Sequence, residues 1–217
     1  MPIVETSFAD ALAELNRNNC ENLTSCQMSI LQRAIVTLKK SGIEDQCLQV
    51  GETAPDFSFQ LDNSESTLSQ LLQQGPLVLN FFRGFWCSFC QVELHAFETA
   101  LGEFEQLGVQ YVAISPQHSQ ETQLEHPNYQ IITDADNKIA HQFRIVYEID
   151  QAQKELYGGF GTDLAAINRS DRWELPLAAT YLINTDRTIQ FSYTDPDFRK
   201  RIDPKELVDF IKEKIPL

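Results

Sequence analysis

Residues 83–94 read RGFWCSFCQVEL and place Cys87 and Cys90 three positions apart, directly after the apolar run PLVLNFF. Two thiols at this spacing can open and close a disulfide, supply half of a zinc site, or fill space in a core. The other cysteines, Cys20, Cys26 and Cys47, form no second C-x-x-C, and none lies near the four histidines at metal-ligand spacing. Redox chemistry is therefore the leading reading. A cysteine that opens a helix faces free backbone N–H groups and the positive end of the helix dipole, so its thiolate is favoured. Its partner one turn along stands near the Cα separation of about 4.4 to 6.8 Å that a disulfide requires. Position alone makes Cys87 the attacking thiol. Arg83, four residues earlier, is either a fixed cation beside that thiolate or a surface arginine paired with one of many carboxylates. Trp86 reads first as a residue covering the loop and second as a substrate contact. Glu93 reads first as a solvated carboxylate on an exposed helix face and second as a group that accepts a proton through water near the pair. His95 falls too far along the helix to serve Cys87, and His118, His126 and His141 carry no assignment.

The elements that hold this pair follow from periodicity. Apolar spacing predicts two helices within residues 5–41, through Phe8, Leu12 and Leu15, then Ile30, Leu31, Ala34, Ile35 and Leu38, with Gly42 ending the second. GETAPDFSFQL alternates Phe57 and Phe59 with polar residues as a strand does, and TLSQLLQQ is helical. PLVLNFF is a buried strand feeding the cysteines. An amphipathic helix then runs from about Cys87 to Gln106 through Leu94, Phe97 and Leu101, and Gly108 stops it. VQYVAIS is the next buried strand. A helix near 118–125, a strand QIIT and a helix in DADNKIAHQF follow, while 150–176 shows no period and is expected to be an insertion or loop. ATYLINT and TIQFSYT are strands, and a helix from Pro204 to about Lys214 closes the chain. The alternation predicts an α/β fold in residues 50–217 behind an N-terminal helical extension, 1–49.

Composition narrows the function classes. The 217 residues are 42% apolar, enough for one packed domain and an appendage, and the formal charge is 17 − 31 = −14. Such a surface repels nucleic-acid phosphates and anionic lipid, so neither is an expected partner. The start, MPIVETSFADALAEL, has no cationic region before an apolar stretch, and no apolar run approaches the ~18 residues of a membrane helix. The expectation is a cytoplasmic protein whose five cysteines are reduced at rest.

From Gly51 onward the chain resembles the peroxiredoxin branch of the thioredoxin-like superfamily, of the alkyl hydroperoxide reductase and thiol-specific antioxidant type. The resemblance lies in GETAPDFSFQLDNSESTLSQLLQQGPLVLNFF, in RGFWCSFCQVEL, and in DADNKIAHQF, WELPLAATYLIN and DPDF before RKRIDP, taken in order. It implies a thioredoxin-like fold, a central mixed sheet flanked by helices, and a peroxidase acting on hydrogen peroxide or organic hydroperoxides through the C-x-x-C pair. The site would comprise Cys87, Cys90, Arg83 and Trp86, with Arg83 polarising a peroxide oxygen. Two alignments of the loop compete. The peroxiredoxin frame P-x-x-x-[TS]-x-x-C makes Cys90 the attacking sulfur, with Cys87 in the threonine slot and Arg83 in the proline slot. The thioredoxin frame W-C-x-x-C makes it Cys87. A further departure is Ala178, where the thioredoxin-like pattern usually has a cis-proline; a cis bond before alanine costs about 2.5 to 4 kcal/mol, so a trans bond is expected there. The platform of a general disulfide reductase is thereby weakened, and small oxidants are favoured. Neither metal, flavin nor nucleotide is implied. The implied partners are a small-molecule peroxide and a thiol reductant such as a thioredoxin or glutathione system. A homodimer through the N-terminal helices is an alternative to their folding back onto the domain. The alternative functions are a thiol-disulfide oxidoreductase and a non-catalytic redox sensor or interaction module.

Overall fold

The computed structural model of the protein describes residues 7–61, 64–118 and 128–214. Helices α1 (Phe8–Asn22) and α2 (Ser25–Ser41) form as the apolar spacing predicts. Their ends carry the expected chemistry: Ser7 accepts from the Asp10 N–H, Thr24 and Gln27 make a reciprocal capping box, and Gly42 closes α2 in the left-handed region at φ 68°. After the short α3 (Ile43–Gln46) come the paired strands β1 (Ser58–Leu61) and β2 (Ser64–Thr67), then α4 (Leu68–Leu71), β3 (Leu77–Phe81), α5 (Ser88–Gln106) and β4 (Gln110–Ser115). The second half holds β5 (Gln130–Thr133), α6 (Lys138–Gln142), β6 (Val146–Glu148), α7 (Gln151–Gly159), α8 (Leu164–Asn168), β7 (Glu174–Pro176), β8 (Ala179–Ile183), β9 (Ile189–Thr194) and α9 (Pro204–Lys214). The helix expected over 118–125 lies, from residue 119 on, outside the described residues.

Five of these strands make a mixed sheet in the order β5-β4-β3-β8-β9, with β3, β4 and β5 parallel and β8 and β9 antiparallel to their neighbours. A central mixed sheet flanked by helices is the fold expected from the sequence. β3 is central and fully buried, and its alternating side chains feed both faces. Leu77, Leu79 and Phe81 join Phe57, Phe143 and Tyr181 on one side. Val78 and Phe82 join Phe89, Leu94 and Phe97 of α5 and Leu207 and Ile211 of α9 on the other. Helix α1 lies against α5 and α2 against α7, with Leu12 and Leu15 on the α5 face of the core. The N-terminal helices thus fold back onto the α/β layers.

Residues 150–176 differ from the expected loop. They contain α7, capped reciprocally by Asp150 and Gln153, α8, capped by Asp163, and β7, which pairs antiparallel with β6. The helices have nine and five residues, so the apolar period hardly repeats before each ends. At Ala178 the bond is trans as expected, since no described residue has a cis peptide bond. Among the described residues no helix is long and apolar enough to cross a membrane.

Candidate functional site

The site begins where β3 ends. The Phe82 N–H continues the parallel ladder to the Ile114 carbonyl, after which the chain must turn sharply to start α5. Gly84 makes that turn at φ 146°, where a Cβ would meet Trp86 Nε1 at 2.3 Å and Gln117 Oε1 at 2.9 Å. The turn is tied down twice. The Phe85 N–H donates to Gln117 Oε1 at 2.7 Å, and the Gln91 side-chain amide reaches back to the Phe85 carbonyl.

Cys87 is the N-cap of α5, and Cys90 stands in its first turn. The Cys87 side chain makes no strict capping hydrogen bond, yet the thiol and N–H of Cys90 both face its sulfur and favour the anion. The hydrogen bond from the Cys90 thiol is the largest influence, burial opposes it, and Arg83 and Arg201 add positive charge; the Cys87 thiol is pulled down to about 5. Burial drives Cys90 the other way, well above the usual thiol range, and its hydrogen bond to Cys87 adds to that. The pair is therefore asymmetric. Cys87 is 5% exposed and Cys90 0%. Cys87 lines a cleft of about 320 Å³, and Cys90 does not.

Arg83 is buried, which removes the surface reading. Its Nη1 lies 4.0 Å from the Cys87 sulfur and its Nη2 2.5 Å from the Tyr157 hydroxyl. The guanidinium lies over the rings of Trp86 (4.9 Å), Phe198 (4.9 Å) and Tyr157 (5.7 Å). Aromatic faces on several sides exclude carboxylates, so this cation has the thiolate as its anionic neighbour. Its Nε, buried, has no acceptor among the described residues.

Glu93 corrects the sequence reading. It is 1% exposed and faces inward beside Leu94 and Phe97, because residues 90, 93, 94 and 97 share one face of α5. Its Oε2 accepts from Arg201 Nε at 2.8 Å, and Arg201 Nη2 lies 3.5 Å from the Cys90 sulfur. Burial pushes the Glu93 carboxyl up to about 8, with Arg201 opposing. Arg201 also donates to the carbonyls of Phe198 and Lys200, so the guanidinium is held at its far side too.

Of the expected residues, the fold brings Cys87, Cys90, Arg83 and Trp86 together. Cys20 and Cys26 are exposed on α1 and α2, and Cys47 is buried, donating to the Ile43 carbonyl at 3.2 Å. None of the three stands in the β3–α5 turn. Among the described residues no group of His, Cys, Asp and Glu could hold a metal ion. Arg201 and Tyr157 escaped the sequence reading. Arg201 is 111 residues from Cys90 and carries no local pattern, and Tyr157 lies in the stretch expected to be a loop.

The sequence model of the AhpC/TSA family matches residues 50–192. The thiol-disulfide oxidoreductase ResA of Oceanobacillus iheyensis is 34% identical over 93 residues, 40% of this chain and 47% of that protein, so this chain spans under half of that relative's length. Two solved structures share the fold. Peroxidoxin BcpB of Mycobacterium tuberculosis superposes with a TM-score of 0.59 at 19% identity, over 78% of this chain and 99% of that one. The reduced 2-Cys peroxiredoxin of Plasmodium vivax gives 0.57 at 18%, over 76% and 83%. Helices α1 and α2 lie before the matched segment.

Proposed function

The chain belongs to the AhpC/TSA family, and on that premise we propose that it is a thiol peroxidase in which Cys87 attacks and Cys90 resolves. The observation that carries the reading is the asymmetry of the pair: an acidic, cleft-lining sulfur beside a buried cation, and a fully buried thiol one turn behind it.

The Cys87 thiolate attacks the distal oxygen of a hydroperoxide R–O–OH. A sulfur–oxygen bond forms, the O–O bond breaks, and the leaving alkoxide takes a proton and departs as R–OH; sulfur is oxidised by two electrons and the peroxide reduced by two. Arg83 holds the thiolate and stabilises charge growing on oxygen. The Cys90 sulfur, losing its proton, then attacks the Cys87 sulfenic acid, a disulfide forms, and water leaves. An external thiol of the thioredoxin or glutathione type returns both sulfurs to the reduced state.

The similarity to ResA favours a second reading, a thiol-disulfide oxidoreductase. Against it stands the absence of a proline at Ala178 and the presence of α1 and α2 over the reactive turn. The test is a sulfenic-acid trap with mass spectrometry on single variants. Cys90→Ser treated with one equivalent of peroxide should accumulate label on Cys87, and Cys87→Ser should show almost none. Label on Cys90 in the Cys87→Ser protein would reverse the two roles. If neither variant is labelled and both lose disulfide reductase activity, the oxidoreductase reading replaces this one.

A further inference from the structure

We propose that the α1–α2 pair, which lies outside the AhpC/TSA match, is the wall that decides which hydroperoxide reaches Cys87, with Leu23 and Leu31 receiving an apolar substituent of the substrate. The inference deepens the peroxidase reading and rests on it.

The cleft over Cys87 is lined by two chemically different sets of side chains. One set holds Cys87 and Arg83, the only charged side chain among the described residues that lines the cleft, in a protein of net charge −14. The other comprises Leu23, which ends α1, Leu31 of α2 and Phe160 just after α7, with the polar Asn19 and Thr162 lining the cleft as well. Both leucines are half-buried on the cleft side. Phe160 is 44% exposed, one of three large apolar side chains so exposed among the described residues. A volume of about 320 Å³ falls within the range of small-molecule sites, roughly 300 to 1,000 Å³, and is about ten times the ~30 Å³ share of one water. Hydrogen peroxide has two heavy atoms and gains nothing from such walls. An alkyl or aryl group on the proximal oxygen would cover the exposed part of Phe160 and the two leucines while its O–OH meets Cys87 and Arg83. The same wall stands where a protein disulfide would have to approach the sulfur.

The experiment compares wild type with Leu31→Asn and with Leu23→Ala/Leu31→Ala, using cumene hydroperoxide and hydrogen peroxide in parallel. The kcat/KM for cumene hydroperoxide should fall about tenfold or more, as for loss of apolar contact in a pocket, and that for hydrogen peroxide should stay within about twofold. Leu31→Met, which keeps volume and apolarity, should retain the wild-type ratio, and thermal melts confirm that each variant folds. Equal loss with both peroxides, or no loss with either, overturns the inference. A second readout needs no peroxide: in the same variants the rate of Cys87 alkylation by N-phenylmaleimide relative to iodoacetamide should change by at least several-fold. A wild type that consumes neither peroxide sinks the peroxidase reading, and the alkylation ratio then decides alone whether these helices wall the thiol. An unmoved ratio in active enzyme overturns the wall.

Discussion

Arg83 is the residue whose charge most directly serves Cys87 from outside the helix, and its effect can be isolated. Arg83→Met keeps much of the side chain's length and its contact with the rings of Trp86 and Phe198 while removing the cation 4.0 Å from the sulfur. The rate of Cys87 alkylation by iodoacetamide, plotted against pH, should have its midpoint near 5 in the wild type. In the variant it should move up by about one pH unit or more, the scale of losing an opposite charge at this range. An unchanged profile would mean that the Cys90 hydrogen bond and the helix start suffice. That Cys87, Cys90, Arg83 and Trp86 stand together was legible in the sequence because they sit within eight residues of one strand-to-helix turn. The difference in position between the two thiols was legible for the same reason, since one caps α5 and the other stands in its first turn. Glu93 was misread although its signal was local: its i+3 relation to Cys90 and its place beside Leu94 put it on the buried face. A charged residue there implies a distant counter-charge, and that charge, Arg201, is joined to it only by the folded chain.

The β3–α5 turn that carries the cysteine pair needs a glycine for a geometric reason. At φ 146° with Trp86 and Gln117 closing over it, Gly84 has no room for a Cβ and no favourable backbone region for one. Gly84→Ala should cost about 1 to 3 kcal/mol of stability, read from urea denaturation. It should also displace Trp86, and with it the ring over Arg83, so that the Cys87 alkylation midpoint rises as well. A stability loss with an unmoved midpoint would separate the turn from the chemistry. The long elements were legible throughout: α5, β3, β4, β8 and β9 each carry a clear apolar period or run. The α7–α8 region was not, because a nine-residue helix held by a capping box and the adjacent buried pair Leu156 and Tyr157 gives its signal in the cap, Asp150 and Gln153, rather than in a repeated stripe. The stripes on α1 and α2 were legible, but what they face is a tertiary fact, and the sequence left domain surface and second copy open.

Cys87 and Glu93 are buried groups that titrate in opposite senses, and the pH dependence of stability records both; Asp134, raised by burial, acts in the same sense as Glu93 in every variant alike. Cys87 ordinarily titrates at 9.0 and in the fold at about 5, so between these values the unfolded chain holds the extra proton and stability rises with pH. Glu93 ordinarily titrates at 4.5 and in the fold at about 8, so the folded protein holds the proton across that window and stability falls as pH rises. From pH 5 to 8 the two slopes oppose each other. Cys90 and Cys47 are pushed above their ordinary values and titrate outside this range, while the repulsion within a chain of net charge −14 acts on every variant alike. Removing one group should therefore reveal the other. The urea midpoint of Cys87→Ser should fall more steeply than that of the wild type as pH is raised from 5 to 8. In Glu93→Gln, which keeps an acceptor for Arg201, the midpoint should rise over the same interval relative to wild type. Parallel slopes in all three proteins would mean that neither group keeps its shift in solution. A change in Cys87→Ser alone would mean that Arg201 holds Glu93 ionised throughout, and that the cation near Cys90 is neutralised at every pH at which the enzyme would work.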